Sequence, residues 1–231
     1  MKIAGLQKTS LMDYPDQIAS IIFTQGCNFA CPYCHNASLI PKPQEDDDYY
    51  SEAKVLNFLD AQKEFIDGVV ITGGEPTLHS DLPQFIKKIK AKELKVKLDT
   101  NGSKPDLLAE LIRAKLLDYI ALDVKAPPAE EKAILGTTGF AEKLKESIEL
   151  IKTADCAYEF RTTVVPTLHN KEQIEKIGKL VQGTKVHYIQ NFRPVNTLDP
   201  TLEEIKEFPP AKLQEFKDIL SQYVQKVVIR N

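Results

Sequence analysis

Along the chain, short runs of β-branched and aromatic residues alternate with longer stretches whose apolar positions recur at helical spacing. The runs at 19–24, 68–72, 95–99, 119–123, 158–165 and 186–191 predict strands. Helices are predicted over 51–65, where Val55, Phe58 and Leu59 share a face behind the candidate cap Ser51, and over 82–91, with Phe85, Ile86 and Ile89. The stretches 107–117, 141–152, 171–181 and 211–224 continue the pattern. Strand followed by helix, six times over, predicts an α/β fold of parallel βα units. Six units are too few for a complete eight-fold barrel, so a partial (β/α)6 TIM-like barrel, open on one side, is expected. The run 226–230 predicts one more short strand at a sheet edge, and 3–11 a leading ribbon. Segments 41–50 and 196–210 read as polar connections, and the acidic run 45–48 as a solvated loop leading into a helix.

Composition narrows the function classes. The 231 residues suit one domain over 1–231. Basic and acidic residues, 30 and 33, are interspersed to a net charge of -3, which predicts neither nucleic acid nor an anionic membrane as partner. No stretch approaches the roughly 20 apolar residues of a membrane span, and the opening residues carry no apolar leader, so a cytoplasmic protein is expected. Three of the four cysteines fall within 27–34, which in a reducing compartment points to metal rather than disulfides. The count supports at most one 4Fe-4S cluster, since a second would need about four more thiolates.

In Gly26–Asn36, GCNFACPYCHN, the thiols of Cys27, Cys31 and Cys34 stand as CxxxCxxC just after the first predicted strand of the βα series. Three ligands without an evident fourth suit a catalytic centre with an open position. On spacing alone a zinc site, with His35 or Cys156 as fourth ligand, stays open, as does a closed structural cluster. His35, beside Cys34, would strain to reach the same metal, and Cys156 alone reads as a small buried hydrophobe.

Polar motifs stand at the C-terminal ends of the other predicted strands, where barrels gather their catalytic groups: TGGEP, DTNG, LDVK, VVP and QNF. Gly73 and Gly74 permit close backbone approach, and Glu75 can accept from an ammonium group; an ordinary strand-to-helix turn explains the same residues. Asp99, Thr100, Asn101 and Gly102 offer a ligand contact or a turn with a helix cap. Asp123 and Lys125 share one strand face, as an ion pair or as ligand contacts. Arg161, on one face with Thr163 and Val165, needs an anion: a ligand, Asp123 or Glu159. His79, His169 and His187 lack metal spacing and read as surface or core residues.

Taken together, these motifs resemble the radical S-adenosylmethionine (SAM) superfamily over nearly the whole chain. The opening GLQKTSLMDYPDQIASIIFTQGCNFACPYCHN is more closely similar to the activating proteins of anaerobic (class III) ribonucleoside-triphosphate reductase, which are similar to pyruvate formate-lyase activating enzyme. Asp16, where relatives usually carry glycine, and Ala30, where a basic or polar residue is common, depart from that pattern. The resemblance implies a partial barrel of the radical SAM type and one 4Fe-4S cluster on Cys27, Cys31 and Cys34, with Tyr33 near the adenine of SAM. It implies that Gly73, Gly74 and Glu75 hold the methionine amino group and that Asp99 and Lys125 fix the methionyl end. Asp123 would join Asp99 around a monovalent cation, and Arg161 and Gln190 would complete the SAM site. The implied activity is reductive cleavage of SAM, with electrons from a donor such as flavodoxin or ferredoxin, to a 5'-deoxyadenosyl radical. That radical would make a glycyl radical on a partner, in the first instance anaerobic ribonucleotide reductase. A radical SAM enzyme acting on a small molecule such as a heterocycle would share every cluster and SAM residue.

Overall fold

The computed structural model describes residues 1–41 and 49–230, so the acidic run 45–48 lies outside the described residues. Eight strands form one sheet in chain order: β1 (Ile3–Ser10), β2 (Ala19–Thr24), β3 (Gly68–Gly73), β4 (Lys95–Thr100), β5 (Tyr119–Asp123), β6 (Ala157–Val164), β7 (Val186–Asn191) and β8 (Lys226–Arg230). β1 pairs with β2 antiparallel, as the expected leading ribbon, and every later pair is parallel. The crossovers carry α1 (Glu52–Gln62), α2 (Leu82–Lys90), α3 (Pro105–Arg113), α4 (Glu131–Leu135), α5 (Ala141–Lys152), α6 (Lys171–Leu180) and α7 (Pro210–Leu220).

Local chemistry sets the helix starts. Ser51 caps α1 by accepting from the Lys54 N–H, and Asn170 with Gln173 forms a capping box on α6. Helices α3 and α7 begin at Pro105 and Pro210, where a missing N–H costs nothing. Helix α4 escapes the periodicity because its five residues barely exceed one turn.

The outer face of the sheet packs Ile22, Ile71, Leu98, Leu122, Phe160 and Ile189 into one large core beneath the helices. The concave face is divided. Near β2 and β3 it is apolar, with Ile21 and Val70 packed on Tyr14. Farther on, register sets Lys97 beside Tyr119, Ala121 beside Glu159, and Asp123 beside Arg161, so charged residues line the barrel interior. Strands β1 and β8 stand at opposite ends of the sheet and do not pair with each other, leaving the barrel open.

Asp16, the departure from glycine, adopts φ 58. That left-handed conformation is free to glycine and tolerated by Asp, which explains both the usual residue and the acceptable exception. Among the described residues, no helix is long and apolar enough to cross a membrane.

Candidate active site

The cysteine loop leaves the C-terminal end of β2, and β3 supplies the surface that seats it. Gly74 N–H donates to Thr24 O, and Glu75 N–H donates to Gly26 O. A Cβ on Gly74 would lie 2.1 Å from Gly26 O, and one on Gly73, at φ +117, would lie 2.4 Å from Thr24 N. Both glycines thus serve a close backbone approach, made by the protein's own cysteine loop. Gly74→Ala is expected to destabilise the fold by about 1–3 kcal/mol, as overpacking does. Urea denaturation checks this; an unchanged midpoint would contradict the packing.

Cys27, Cys31 and Cys34 are free thiols lining one cavity of about 190 Å³. Burial pushes the Cys27 thiol up to about 11 and the Cys31 thiol to about 12, although the nearby Lys125 ammonium opposes it. A metal centre bound there must therefore displace protons. The Phe29 N–H points at Cys27 Sγ, 3.4 Å away. On its far side the loop enters a small apolar core with Phe29, Cys31, Tyr33, Leu135, Phe192 and Leu202. Ala30, the second departure, is held by its N–H to Leu135 O, and a Cβ on Gly136 would sit 2.8 Å from Ala30 O. Helix α4 thus braces the loop.

Glu75 sits deeper than a simple ligand contact requires. Its Oε1 accepts from the Thr77 N–H at 3.0 Å, the Thr77 hydroxyl at 2.5 Å and the Thr100 hydroxyl at 2.8 Å, and its Oε2 accepts from the Asn101 N–H at 2.7 Å. Burial raises its carboxyl above the usual range, against the pull of these bonds. With about four lone-pair sites on a carboxylate, the remaining acceptor direction for a ligand ammonium is on Oε2. Its main task is to bind the end of β3 to the end of β4. Asn101 extends the tie by donating to Asn28 Oδ1 at 3.0 Å, while Asn28 donates to Ser103 at 2.8 Å.

The cavity floor is a row of alternating charges. Arg161 reaches from β6 to Asp99 Oδ2 at 3.0 Å on β4, and its Nε donates to Asp123 Oδ1 on β5. Lys97 Nζ donates to Asp99 at 2.6 Å, and Lys125 Nζ to Asp123 at 2.9 Å. Burial alone would raise both carboxyls, but Arg161 with Lys97 holds Asp99 below the usual range, and Arg161 with Lys125 holds Asp123 well below it. Between Asp99 and Asp123, where the family resemblance implies a monovalent cation, the structure places this guanidinium. The DTNG segment turns through Ser103 N–H to Asn101 Oδ1 rather than capping α3, whose N-cap is Lys104.

Other expected residues divide. Tyr33 lines the cavity, and its buried hydroxyl has no hydrogen-bond partner among the described residues. Gln190 shares the concave face, registered beside Thr163 and Arg230, but does not line this cavity. His79 bonds Gln25 O, and His187 lies buried against the Thr162 hydroxyl. His169 accepts from the Val165 N–H at Nδ1, so Nε2 carries the proton and donates to Lys125 O, steadying the loop that carries the lysine. Asn36 and Thr72, which also line the cavity, carry no sequence signal beyond being polar residues beside a motif.

The donor set fits an iron-sulfur cluster with one open position better than zinc. Cys156 immediately precedes β6, at the opposite end of the parallel strands, and packs on the main core. His35 lines the cavity but is engaged elsewhere, with Nε2 2.9 Å from Arg193 O and its ring stacked on Phe192. Among the described residues, no three Cys, His, Asp or Glu side chains gather around one point as a lone metal ion would need. Three thiols and the charged groups Asp99, Asp123, Lys125 and Arg161 line one cavity, a donor set that suits a cluster with an open position.

The model of the radical SAM superfamily matches residues 21–182. A candidate glycyl-radical enzyme activating enzyme of Methanocaldococcus jannaschii is 36% identical over 99% of this chain and 95% of its own length. A probable GTP 3',8-cyclase of Halobacterium salinarum is 33% identical over 59% of this chain and 39% of its own. Among solved structures, Streptococcus suis SuiB bound to its precursor peptide SuiA superposes with a TM-score of 0.70 at 15% identity, over 91% of this chain and 48% of that one, so this chain spans about half the length of SuiB. QueE from Escherichia coli superposes with a TM-score of 0.59 at 16% identity, over 100% of this chain and 93% of that one. Such distant likenesses show the fold, a partial TIM barrel. Sequence match, partial barrel and cysteine loop agree: this chain belongs to the radical SAM superfamily, in the branch that bears the name of glycyl-radical enzyme activating enzymes.

Proposed function

We propose that this protein activates a glycyl-radical enzyme, with anaerobic ribonucleotide reductase as the partner. The observation that carries the reading is the cavity in which Cys27, Cys31 and Cys34 face Asp99, Asp123, Lys125 and Arg161, in a barrel whose edge strands do not close. The open side leaves room for a loop of another protein to enter. When bound, a 4Fe-4S cluster and SAM supply the reductively generated 5'-deoxyadenosyl radical that takes a hydrogen atom from a partner glycine.

The chain's own residues bind, orient and exclude water. Cys27, Cys31 and Cys34 would hold the cluster, with an electron delivered by a small donor protein such as flavodoxin or ferredoxin. The free acceptor direction on Glu75 and the carbonyls around Gly73 and Gly74 suit the amino group of SAM. Lys125 and Arg161 suit its carboxylate, and Tyr33, which lines the cavity, would hold the adenine. Phe29, Tyr33 and Phe192 form an apolar wall behind the thiols, which keeps water from a reactive radical.

The test is anaerobic reconstitution with iron and sulfide, followed by SAM, a reductant and the reductase from the same cell. A glycyl radical on the reductase, seen by electron paramagnetic resonance, is the expected result. Deoxyadenosine without that radical would move the reading to a small-molecule substrate, and neither product would end it.

A further inference from the structure

Segment 196–210 reads in sequence as a polar connection, yet the chain after β7 folds onto the cysteine loop. Asp199 N–H donates to Pro32 O at 2.8 Å, between two of the cysteines, and Arg193 O meets His35. Leu202, in the 3-10 turn Pro200–Glu204, is buried in the apolar core behind the thiols. Its outward side is of a different character. Val195 is 54% exposed and Leu198 37%, beside Asn196 at φ 52.

This ledge runs into a groove of about 660 Å³ between the end of β7 and the start of α7. Its floor is apolar, with Pro194, Ile205, Phe208 and Leu213, and its rim is acidic, with Glu203, Glu204 and Glu207 against Lys206. At the base, Asn191 Nδ2 donates to Phe208 O and Glu207 Oε2, which fixes the amide. An apolar floor and an acidic rim favour an occupant that brings positive charge and apolar side chains.

We infer that this ledge and groove dock the partner enzyme through a basic segment bearing apolar side chains. The site lies at the end of β7, the strand next to the edge strand β8. The hydrogen bond from Asp199 to Pro32 joins the docked surface to the loop of the thiols. This inference rests on the reading that the radical is delivered to another protein, and it adds where that protein binds.

The experiment uses the double variant Val195→Asp with Glu204→Lys, both exposed and outside the cavity. The probe is the intact anaerobic ribonucleotide reductase of the same cell. Its affinity for the reconstituted double variant is expected to fall about tenfold or more, with wild-type binding weakening as salt rises. SAM cleavage with a chemical reductant and no partner is expected to stay at the wild-type rate. If the wild type makes the glycyl radical and the double variant binds and activates the reductase equally well, the docking surface is wrong while the activase reading stands. If the wild type makes no glycyl radical at all, the reading beneath is lost and this inference with it.

Discussion

Cys34→Ala is expected to purify without the brown colour of an iron-sulfur protein and to yield no 5'-deoxyadenosine from SAM. The loss should be on the order of 10³-fold or more, because groups that act as a unit fail together when one is removed. Each of the three thiols lines the same cavity. Cys156, the remaining cysteine, lies at the far end of the strands and cannot substitute. A parallel Cys156→Ala variant should keep both colour and turnover, which separates loss of a ligand from general damage. Full SAM cleavage by Cys34→Ala would refute the cluster assignment, and loss of colour in Cys156→Ala would return that residue to the ligand set.

Arg161→Met is expected to lower stability by about 3 kcal/mol at neutral pH. Removing one partner of a buried ion pair typically costs 3–5 kcal/mol, because the charge left behind is uncompensated. The low end applies here, since Asp99 keeps Lys97 and Asp123 keeps Lys125. The pH dependence has a definite sign. Carboxyls held below their usual range, as Asp99 and Asp123 are, add stability above the unfolded value near 3.9 and lose it as pH falls through the lower folded value. The wild type should therefore hold this contribution into strong acid, and the gap to the variant should narrow as pH drops. Urea denaturation at neutral and acidic pH measures both. Equal midpoints at neutral pH would mean that the bridge contributes nothing. Arg161→Lys should fall between the two, because an ammonium cannot span both carboxylates as a planar guanidinium does.

The bridge also bears on how ligand and protein compete. A carboxylate entering the cavity meets an Arg161 already committed to two aspartates and a Lys125 already paired with one. A ligand carboxylate would have to share these cations with Asp99 and Asp123. Glu159 anchors the layer beneath: it is fully buried, accepts two bonds of 2.8 Å from Arg230 and one of 2.9 Å from the Tyr119 hydroxyl, and lies 4.0 Å from Arg161.

The strands, the six longer helices and the parallel order were legible in the chain because each depends on residues a few positions apart. A β-branched run states its own conformation, and apolar residues three and four apart state a helix face. The CxxxCxxC spacing was legible for the same reason, since one loop must carry all three thiols. Asp16 stands where the family resembled usually carries glycine, a comparison rather than a local pattern, and the backbone there is left-handed.

Tertiary structure decided what no local pattern carries. Arg161 lies 62 residues from Asp99 and 38 from Asp123, so only strand register could show that it joins both. Glu75, which reads in sequence as a free acceptor, is engaged by Thr100 and Asn101 on the next strand. The connection 196–210 looked merely polar because its one buried apolar anchor, Leu202, is too isolated to form a period, yet it seats on the cysteine loop through Asp199 and Pro32. Local conformation is written in neighbouring residues, whereas the state of a charge or an acceptor depends on which partners the fold brings within hydrogen-bond reach.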